Sequence, residues 1–483
     1  MPREAFLGLD VGGTGAKAGI FDLRGRCLGS GRVRYQPRTW PDGRVEIPIG
    51  VIEEAARGAV RQAARGVRAR MVALSVSSQG QTFVSLDDRG RPLHPAIIWY
   101  DGRAKAEAAE MARRGVPIET ISSAAKVLWL RARDGTRMAR ARRHLLLPDY
   151  LAYRLTGRAV TDPTTASSGG WVGVDPMAYD ASRLAATGVS REALAEIQWP
   201  GTPIGPVLPE MARRWGISEG AMLVAGTNDQ FAGALGAGNV EPGVLSVTTG
   251  TCLALVTLAA KLPDPPPPGL LHGLFPVKPW LFALTYSRTA GIAFDGFRRD
   301  FLGGATPSDA DRRAARVPAG SGGVIALPDF EGMVSPEPNP WARGAFLGLG
   351  LHHRPLHLYR ALLESLCFAL RENVEFMAGL GLRPGVTRAI GGRAESAFWV
   401  QMEADVLGSP VEQAAVTEAA TLGAAVLAAA GVGAFASVAE AAKAFYRCRR
   451  IFEPRPSVAA VYAPIYQRFR ALRRAVHGAA PFD

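Results

Sequence analysis

Phe6-Leu7-Gly8-Leu9-Asp10-Val11-Gly12-Gly13-Thr14-Gly15-Ala16-Lys17-Ala18-Gly19-Ile20-Phe21-Asp22 reads as strand, tight turn and strand. The apolar run from Phe6 ends at the carboxylate of Asp10, Gly12 to Gly15 bends the chain back, and Ala16 to Asp22 runs out again. Half a chain later the pattern recurs. Val244-Leu245-Ser246-Val247-Thr248 ends in Thr249-Gly250-Thr251, and Cys252 to Thr257 continues as a strand. Two such units predict a duplicated architecture. Between them, Met71 to Val76 is a strand running into Ser77-Ser78-Gln79-Gly80-Gln81. Helical periodicity marks Val51 to Arg65, Tyr359 to Leu380 and Ala394 to Leu407, so the expected class is an α/β layered fold.

At 483 residues the chain exceeds what one core serves. We place the boundary near Asn239 to Gly243, which gives domains 1–240 and 241–483. The Pro-rich pieces 263–268 and 336–340 then read as surface loops of the second half. With 48% hydrophobic and 20% charged residues the composition is that of a globular protein. No apolar run reaches the roughly 18 residues that span a bilayer, and no signal peptide is legible. The expected location is therefore the cytoplasm, without membrane attachment. Cys27, Cys252, Cys367 and Cys448 form neither CxxC pairs nor Cys/His clusters, which predicts thiols without disulfides or zinc. The net charge of +13 is carried mostly by dispersed arginines. Its densest run, Arg131 to Arg143, has no interleaved aromatics, so a solvated helical face is expected and a nucleic-acid partner is not.

Four segments carry the chemistry. Val224-Ala225-Gly226-Thr227-Asn228-Asp229-Gln230 takes a buried strand to a lone carboxylate at the start of a small-residue helix. That is the edge of an α/β sheet where reactive groups are kept, although an Asp there also suits a helix cap. Asp10 precedes Gly12, Gly13 and Thr14, whose open backbone N–H groups suit a polyphosphate, with a carboxylate in place for Mg²⁺. The turn feeds a strand, so neither the Rossmann nor the Walker pattern fits. Thr249-Gly250-Thr251 would supply the second side of a phosphate clamp. Ala389-Ile390-Gly391-Gly392-Arg393-Ala394-Glu395-Ser396 is strand, double glycine and helix start, a place for a nucleotide or an ordinary turn.

In order, these pieces resemble the FGGY carbohydrate kinases across essentially the whole chain. Gly344-Ala345-Phe346-Leu347-Gly348-Leu349 followed by His357-Leu358-Tyr359-Arg360-Ala361-Leu362-Leu363-Glu364 resembles the C-terminal signature of that family. Lys126-Val127-Leu128-Trp129-Leu130 resembles the core of its N-terminal signature. Gly391 to Ser396 with Trp399, Gln401, Ala404 and Asp405 resembles its adenosine motif, and Glu418 to Ala425 the helix after it.

The resemblance implies a two-domain actin-like (ribonuclease H-like) ATPase fold with an interdomain catalytic cleft, a sugar-binding first domain and a nucleotide-binding second. It implies ATP and Mg²⁺ as cofactors. Asp229 then matches the general base, and Asp10 with Asp229 the carboxylates near the metal. Gly12, Gly13, Thr14 and Lys17 match the first phosphate turn, and Thr249, Gly250 and Thr251 the second. Gly391, Gly392, Arg393 and Ser396 match the nucleotide contacts. Gln81, Thr82, Asp101, Arg103 and Gln230 match the acceptor contacts, Asp101 and Arg103 also reading as a structural ion pair.

Two departures stand out. The doubled glycine of the first turn is more typical of ROK-type sugar kinases, which are shorter and often carry a Cys-rich zinc motif absent here, so that assignment is rejected. Xylulokinases usually have Gln-Met-His, and glycerol kinases Arg-Glu, where this chain has Gly80-Gln81-Thr82. The element Ala96 to Arg103 leans towards the xylulokinase branch. The expected acceptor is a ketopentose such as D-xylulose. The alternatives are a polyol of the glycerol or erythritol type, or a silent sugar- or nucleotide-binding sensor on the same scaffold. The resemblance also leaves room for a homodimer, with no interface legible in the sequence.

Overall fold

The computed structural model describes residues 3–250 and 252–478. The chain divides into two compact units, one formed by Met1–Gly238, Leu274–Val277 and Ala420–Phe445, the other by Asn239–Gly273, Lys278–Ala419 and Tyr446–Asp483.

The first unit is built on a six-stranded sheet in the order Pro203–Pro206, Met222–Val224, Arg70–Ser78, Glu4–Gly12, Gly15–Phe21, Cys27–Arg34. Met222–Val224, Arg70–Ser78 and Glu4–Gly12 run parallel, so their C-terminal ends open on one edge. The remaining strands are antiparallel to their neighbours. Ala73 and Leu74 in the middle of this sheet are fully buried, as expected where both faces are covered. Helix Ile49–Ala64 packs on the sheet through Ile52, Ala56, Ala59, Val60 and Ala63, a stripe at helical spacing that is mostly alanine. Small side chains let it lie close to the hairpin strands.

The second unit repeats this plan. Its seven-stranded sheet runs Leu271–Leu274, Leu281–Ser287, Leu253–Ala259, Val244–Thr249, Val386–Ile390, Val411–Ala414, Cys448–Phe452. Val244–Thr249, Val386–Ile390 and Val411–Ala414 are parallel, and Val244–Thr249 forms the antiparallel hairpin with Leu253–Ala259. The duplicated architecture expected from the two β-turn-β units is present, down to the order of parallel and antiparallel neighbours. The long helix Pro355–Gly379 supplies the core with Leu362, Leu363, Leu366, Phe368 and Leu370.

Two segments differ from the sequence expectation. The helix expected over Ala394 to Leu407 starts at Ala397, because Gly392–Glu395 forms a 3₁₀ turn and Ser396 caps the helix after it. The stretch Ala420–Phe445 returns to the first unit. There, helix Ala419–Gly431 crosses helix Asp229–Gly236 at bare backbone, since a Cβ on Gly423 would lie 1.8 Å from the Ala232 carbonyl oxygen. The Pro-rich piece 263–268 carries no helix or strand. No helix among the described residues is long and apolar enough to cross a membrane.

Candidate active site

Strand register brings the first group of residues together. Asp10 stands opposite Ser77 on the central strand and opposite Lys17 on its hairpin partner. Ser77 Oγ donates to Asp10 Oδ1 at 2.9 Å. The pair Gly12 and Gly15 closes the hairpin and leaves Gly13 and Thr14 as the turn, with Thr14 exposed. Tyr35 secures this turn: its hydroxyl donates to the Gly12 carbonyl and its backbone N–H to the Thr14 carbonyl at 3.1 Å. Burial, followed by the charge of Asp10, pushes the Tyr35 phenol far above its ordinary range, so it serves as a fixed donor.

The neighbouring strand delivers Asp229. Beyond Met222–Val224 the chain pairs once more, Asn228 beside Ser78, and the helix Asp229–Gly236 begins. Asn228 is the cap: its side-chain oxygen accepts from Gln230 N at 3.0 Å. The capping alternative for Asp229 is thereby corrected, since a neighbour with the same hydrogen-bonding capacity takes that role and leaves the carboxylate available. Burial, and then the negative charge of Asp10, raise the Asp229 carboxyl from 3.8 to about 7, against hydrogen bonds from Gln230 and the charge of Lys17. Gln230 Nε2 lies 3.4 Å from Asp229 Oδ1.

The expected acceptor contacts divide into two groups. Gln81 is half-buried with a left-handed backbone, φ +47°, which costs a non-glycine residue on the order of 1–3 kcal/mol. The conformation is held from both sides, its N–H donating to Ser168 Oγ at 3.3 Å and its carbonyl accepting from Ser123 Oγ at 2.9 Å. Thr82, Asp101 and Arg103 instead turn their side chains into the protein. Thr82 is fully buried, its hydroxyl accepting from Trp99 N at 3.0 Å. Asp101, also fully buried, accepts from Arg103 Nε and Nη2 at 2.8 and 2.7 Å, and Arg103 pairs with Glu46 at 2.7 Å as well. Together they hold the Trp99-Tyr100 turn.

Lys126, which the motif reading left without a role, completes that support. It is fully buried and donates to the carbonyls of Ile98 and Trp99 at 2.9 and 3.0 Å. Burial lowers its ammonium from 10.5 to about 7. Trp129, three residues on, is flanked by the guanidinium groups of Arg103 and Arg133 at 4.9 and 4.6 Å. Lys126→Met fills the volume but takes the ammonium donor from both carbonyls, leaving Ile98 with the Asp101 N–H alone, at a cost of about 1–3 kcal/mol. Denaturant unfolding should show this loss, and an unchanged midpoint would mean that other donors reach the carbonyls. Because folding depresses this pKa, the stability linked to Lys126 is present above 10.5 and lost as the pH falls to about 7, so the gap to the variant should narrow over that window.

In the second unit Thr249 ends its strand and Gly250 follows it, and Thr251 lies outside the described residues. Gly391 has φ +85° and rests on Thr249, whose carbonyl oxygen would be 3.0 Å from a Cβ placed there. Gly250 and Gly392 face open space. Arg393 is 8% exposed, pairs with Asp311 at 3.1 Å, and lies over the rings of Phe294 and Trp399. Ser396 donates to Asp311 at 2.6 Å and caps the helix Ala397–Leu407. Arg393 and Ser396 thus secure the turn from behind, and the glycines form its open face.

Sequence reasoning passed over Gln79, Trp99 and Ser77. For Ser77 and Gln79 the signal was the continuation of the central strand, where alternate residues fall on one face at its C-terminal end. The arginine run is largely paired, for example Arg133 with Glu107, Arg137 with Asp134 and Arg140 with Asp87. Ser85 sits between His94 and His144, but all three are buried and burial lowers the imidazoles to about 4 and about 3, so this is a neutral core relay. None of the four cysteines forms a disulfide.

A duplicated sheet with an Asp-bearing strand end and glycine turns can seat a polyphosphate beside a carboxylate. Models of the N-terminal and C-terminal domains of the FGGY family of carbohydrate kinases match residues 5–236 and 243–432. A glycerol kinase of Thermus brockianus is 32% identical over 457 residues, covering 89% of this chain and 90% of that protein. A xylulose kinase of Lactococcus lactis is 27% identical over 95% of both chains. The crystal structure of a xylulose kinase from Rhodospirillum rubrum aligns with a TM-score of 0.83 at 27% identity, over 98% of this chain and 99% of that one. The chain belongs to the FGGY family of carbohydrate kinases. It is a phosphotransferase, with ATP as co-substrate and a sugar or polyol as acceptor.

Proposed function

We propose that the acceptor is a ketopentose, D-xylulose first, and that Asp229 is the general base. The observation that carries this reading is the pair of carboxylates to which the two strands flanking Arg70–Ser78 lead, with Asp229 raised to about 7 by burial and then by the charge of Asp10. A base works best when its pKa lies near the working pH, because it is then both ionised and basic enough to take a hydroxyl proton. As the hydroxyl oxygen bonds to the γ-phosphorus, its proton passes to Asp229, the bond from that phosphorus to the β–γ bridging oxygen breaks, and ADP leaves. Gln230 holds the carboxylate orientation from the next helical position. Thr82, Asp101, Arg103 and Lys126 act through the Trp99 turn that they support.

The oxygen donors of Asp10 and Asp229 fit a hard cation such as Mg²⁺, which binds through one or two carboxylates together with substrate phosphates. Their mutual repulsion is what such an ion relieves, and when bound it would neutralise charge on the phosphates. The described residues contain no larger His, Cys, Asp and Glu group suited to a metal.

The element Ala96 to Arg103 and the xylulose kinases among the relatives support the ketopentose. The Thermus brockianus glycerol kinase, at 32% identity, supports a polyol as the second reading. A coupled ADP-release assay with MgATP against D-xylulose, D- and L-ribulose, glycerol, erythritol and gluconate separates them. Saturable turnover is expected with D-xylulose. Turnover confined to glycerol or erythritol would replace the ketopentose by the polyol.

A further inference from the structure

Gln79 stands where the central strand of the first unit ends, between the two strands that carry the carboxylates. On one side its N–H donates to the Val11 carbonyl at 3.2 Å, next to the phosphate turn. On the other, the pairing of Ser78 with Asn228 makes the next residues, Gln79 and Asp229, leave their strands as neighbours. Gln79 Oε1 lies 3.3 Å from where a Cβ on Gly13 would sit, and Trp99 Nε1 is 3.9 Å from the same point. So the amide and the Trp99 indole both approach the Gly13 turn, at the end of the strand that runs between those leading to Asp10 and Asp229.

Gln79 is 4% exposed, yet neither Oε1 nor Nε2 has a hydrogen-bond partner. Buried amides are nearly always satisfied, because stripping both atoms of water without replacement is costly. Here the cost falls at the Gly13 turn, on the strand end between those that lead to Asp10 and Asp229. A carboxamide presents one acceptor and one donor side by side, which matches two neighbouring hydroxyls, and it carries no charge to repel or attract a carboxylate.

We propose that Gln79 binds the acceptor, taking one hydrogen bond from and giving one to adjacent hydroxyls of a neutral polyhydroxy substrate, next to the hydroxyl that Asp229 deprotonates. This rests on the reading of Asp229 as the base, and it adds a specificity-determining contact with a stated chemistry, a vicinal diol.

The test uses Gln79→Leu and Gln79→Glu in the full chain, on whichever acceptor the wild type phosphorylates best. KM for that acceptor, KM for MgATP, kcat and the melting temperature are measured. Acceptor analogues lacking one hydroxyl each are then run on wild type and variants. Gln79→Leu should raise the acceptor KM about 30-fold, equivalent to about 2 kcal/mol from two neutral hydrogen bonds. The MgATP KM should stay unchanged and the melting temperature should hold or rise, since a buried unpaired amide is gone. One deoxy analogue should lose affinity on the wild type and no further affinity on the variant. Acceptor and MgATP KM rising together, a lower melting temperature with the acceptor KM unmoved, or a deoxy penalty that persists in the variant would each overturn the proposal. If the best acceptor is a polyol, the ketopentose reading falls while the Gln79 result is still read on that polyol.

Discussion

Replacing Asp229 by asparagine is expected to lower kcat by about three orders of magnitude, within the ~10²–10⁴ range that a positioned general base contributes. Asparagine keeps the shape of the side chain, and the helix start is unaffected because Asn228, not Asp229, supplies the cap. MgATP binding measured by calorimetry should therefore persist while turnover disappears. The wild-type kcat/KM should climb with pH and level off above about 7, where the carboxyl ionises, and the variant should lack that limb.

The same shift gives a stability result of defined sign. The folded-state pKa is raised from 3.8 to about 7, so the stability linked to this group is fully present below 3.8 and is lost as the pH rises through 7. Without substrates, Asp229→Asn should then melt above the wild type at pH 8, with the gap closing towards pH 4. Higher stability together with lost activity is the signature of a functional group held in an unfavourable setting. Near-wild-type turnover, or a variant that melts lower at pH 8, would remove Asp229 from the role of base.

The second large effect is structural. Gly423→Val should destabilise the first unit by about 3 kcal/mol or more, the upper end of what overpacking costs, because the obstacle is backbone and cannot rotate aside. A Cβ there would sit 1.8 Å from the Ala232 carbonyl oxygen, so the helix Asp229–Gly236 must move or the crossing must open. Activity should fall with stability, since that helix begins with the proposed base. Gly50→Ala is the control: Gly50 lies within helix Ile49–Ala64 and faces open space, so alanine should stabilise by about 0.4–1 kcal/mol. A Gly423→Val protein with wild-type melting and kcat would show that the two helices do not meet as closely as the structure has them.

These two predictions draw on different kinds of information. The strand-turn-strand of Phe6 to Asp22, its echo at Val244 to Thr257, and the placement of Asp10 and Asp229 at strand ends were legible in the sequence. Each depends on periodicity and turn chemistry within a few neighbouring residues, and hydrophobic spacing and glycines record that directly. The order of the motifs along the chain was legible for the same reason. Whether Asp229 or Asn228 caps the helix was not, since both residues can cap and only the backbone geometry chooses.

The remaining features depend on partners far apart in sequence. Ser77 meets Asp10 across 67 residues and Arg393 meets Asp311 across 82, and no local pattern encodes which partner a buried polar group will find. That is why Thr82, Asp101, Arg103 and Ser396 read as contact residues but turn inward, where low dielectric and missing water make pairing with another side chain compelling. It is also why Gln79 went unnoticed until its burial and its unmet hydrogen bonds were both visible. The sequence by itself determined the class of fold, the duplicated plan and the two carboxylates. Only the tertiary structure decided which polar side chains turn into the protein, and that Ala420–Phe445 joins the first unit, because strand register and the close approach of bare backbone are properties of the folded chain.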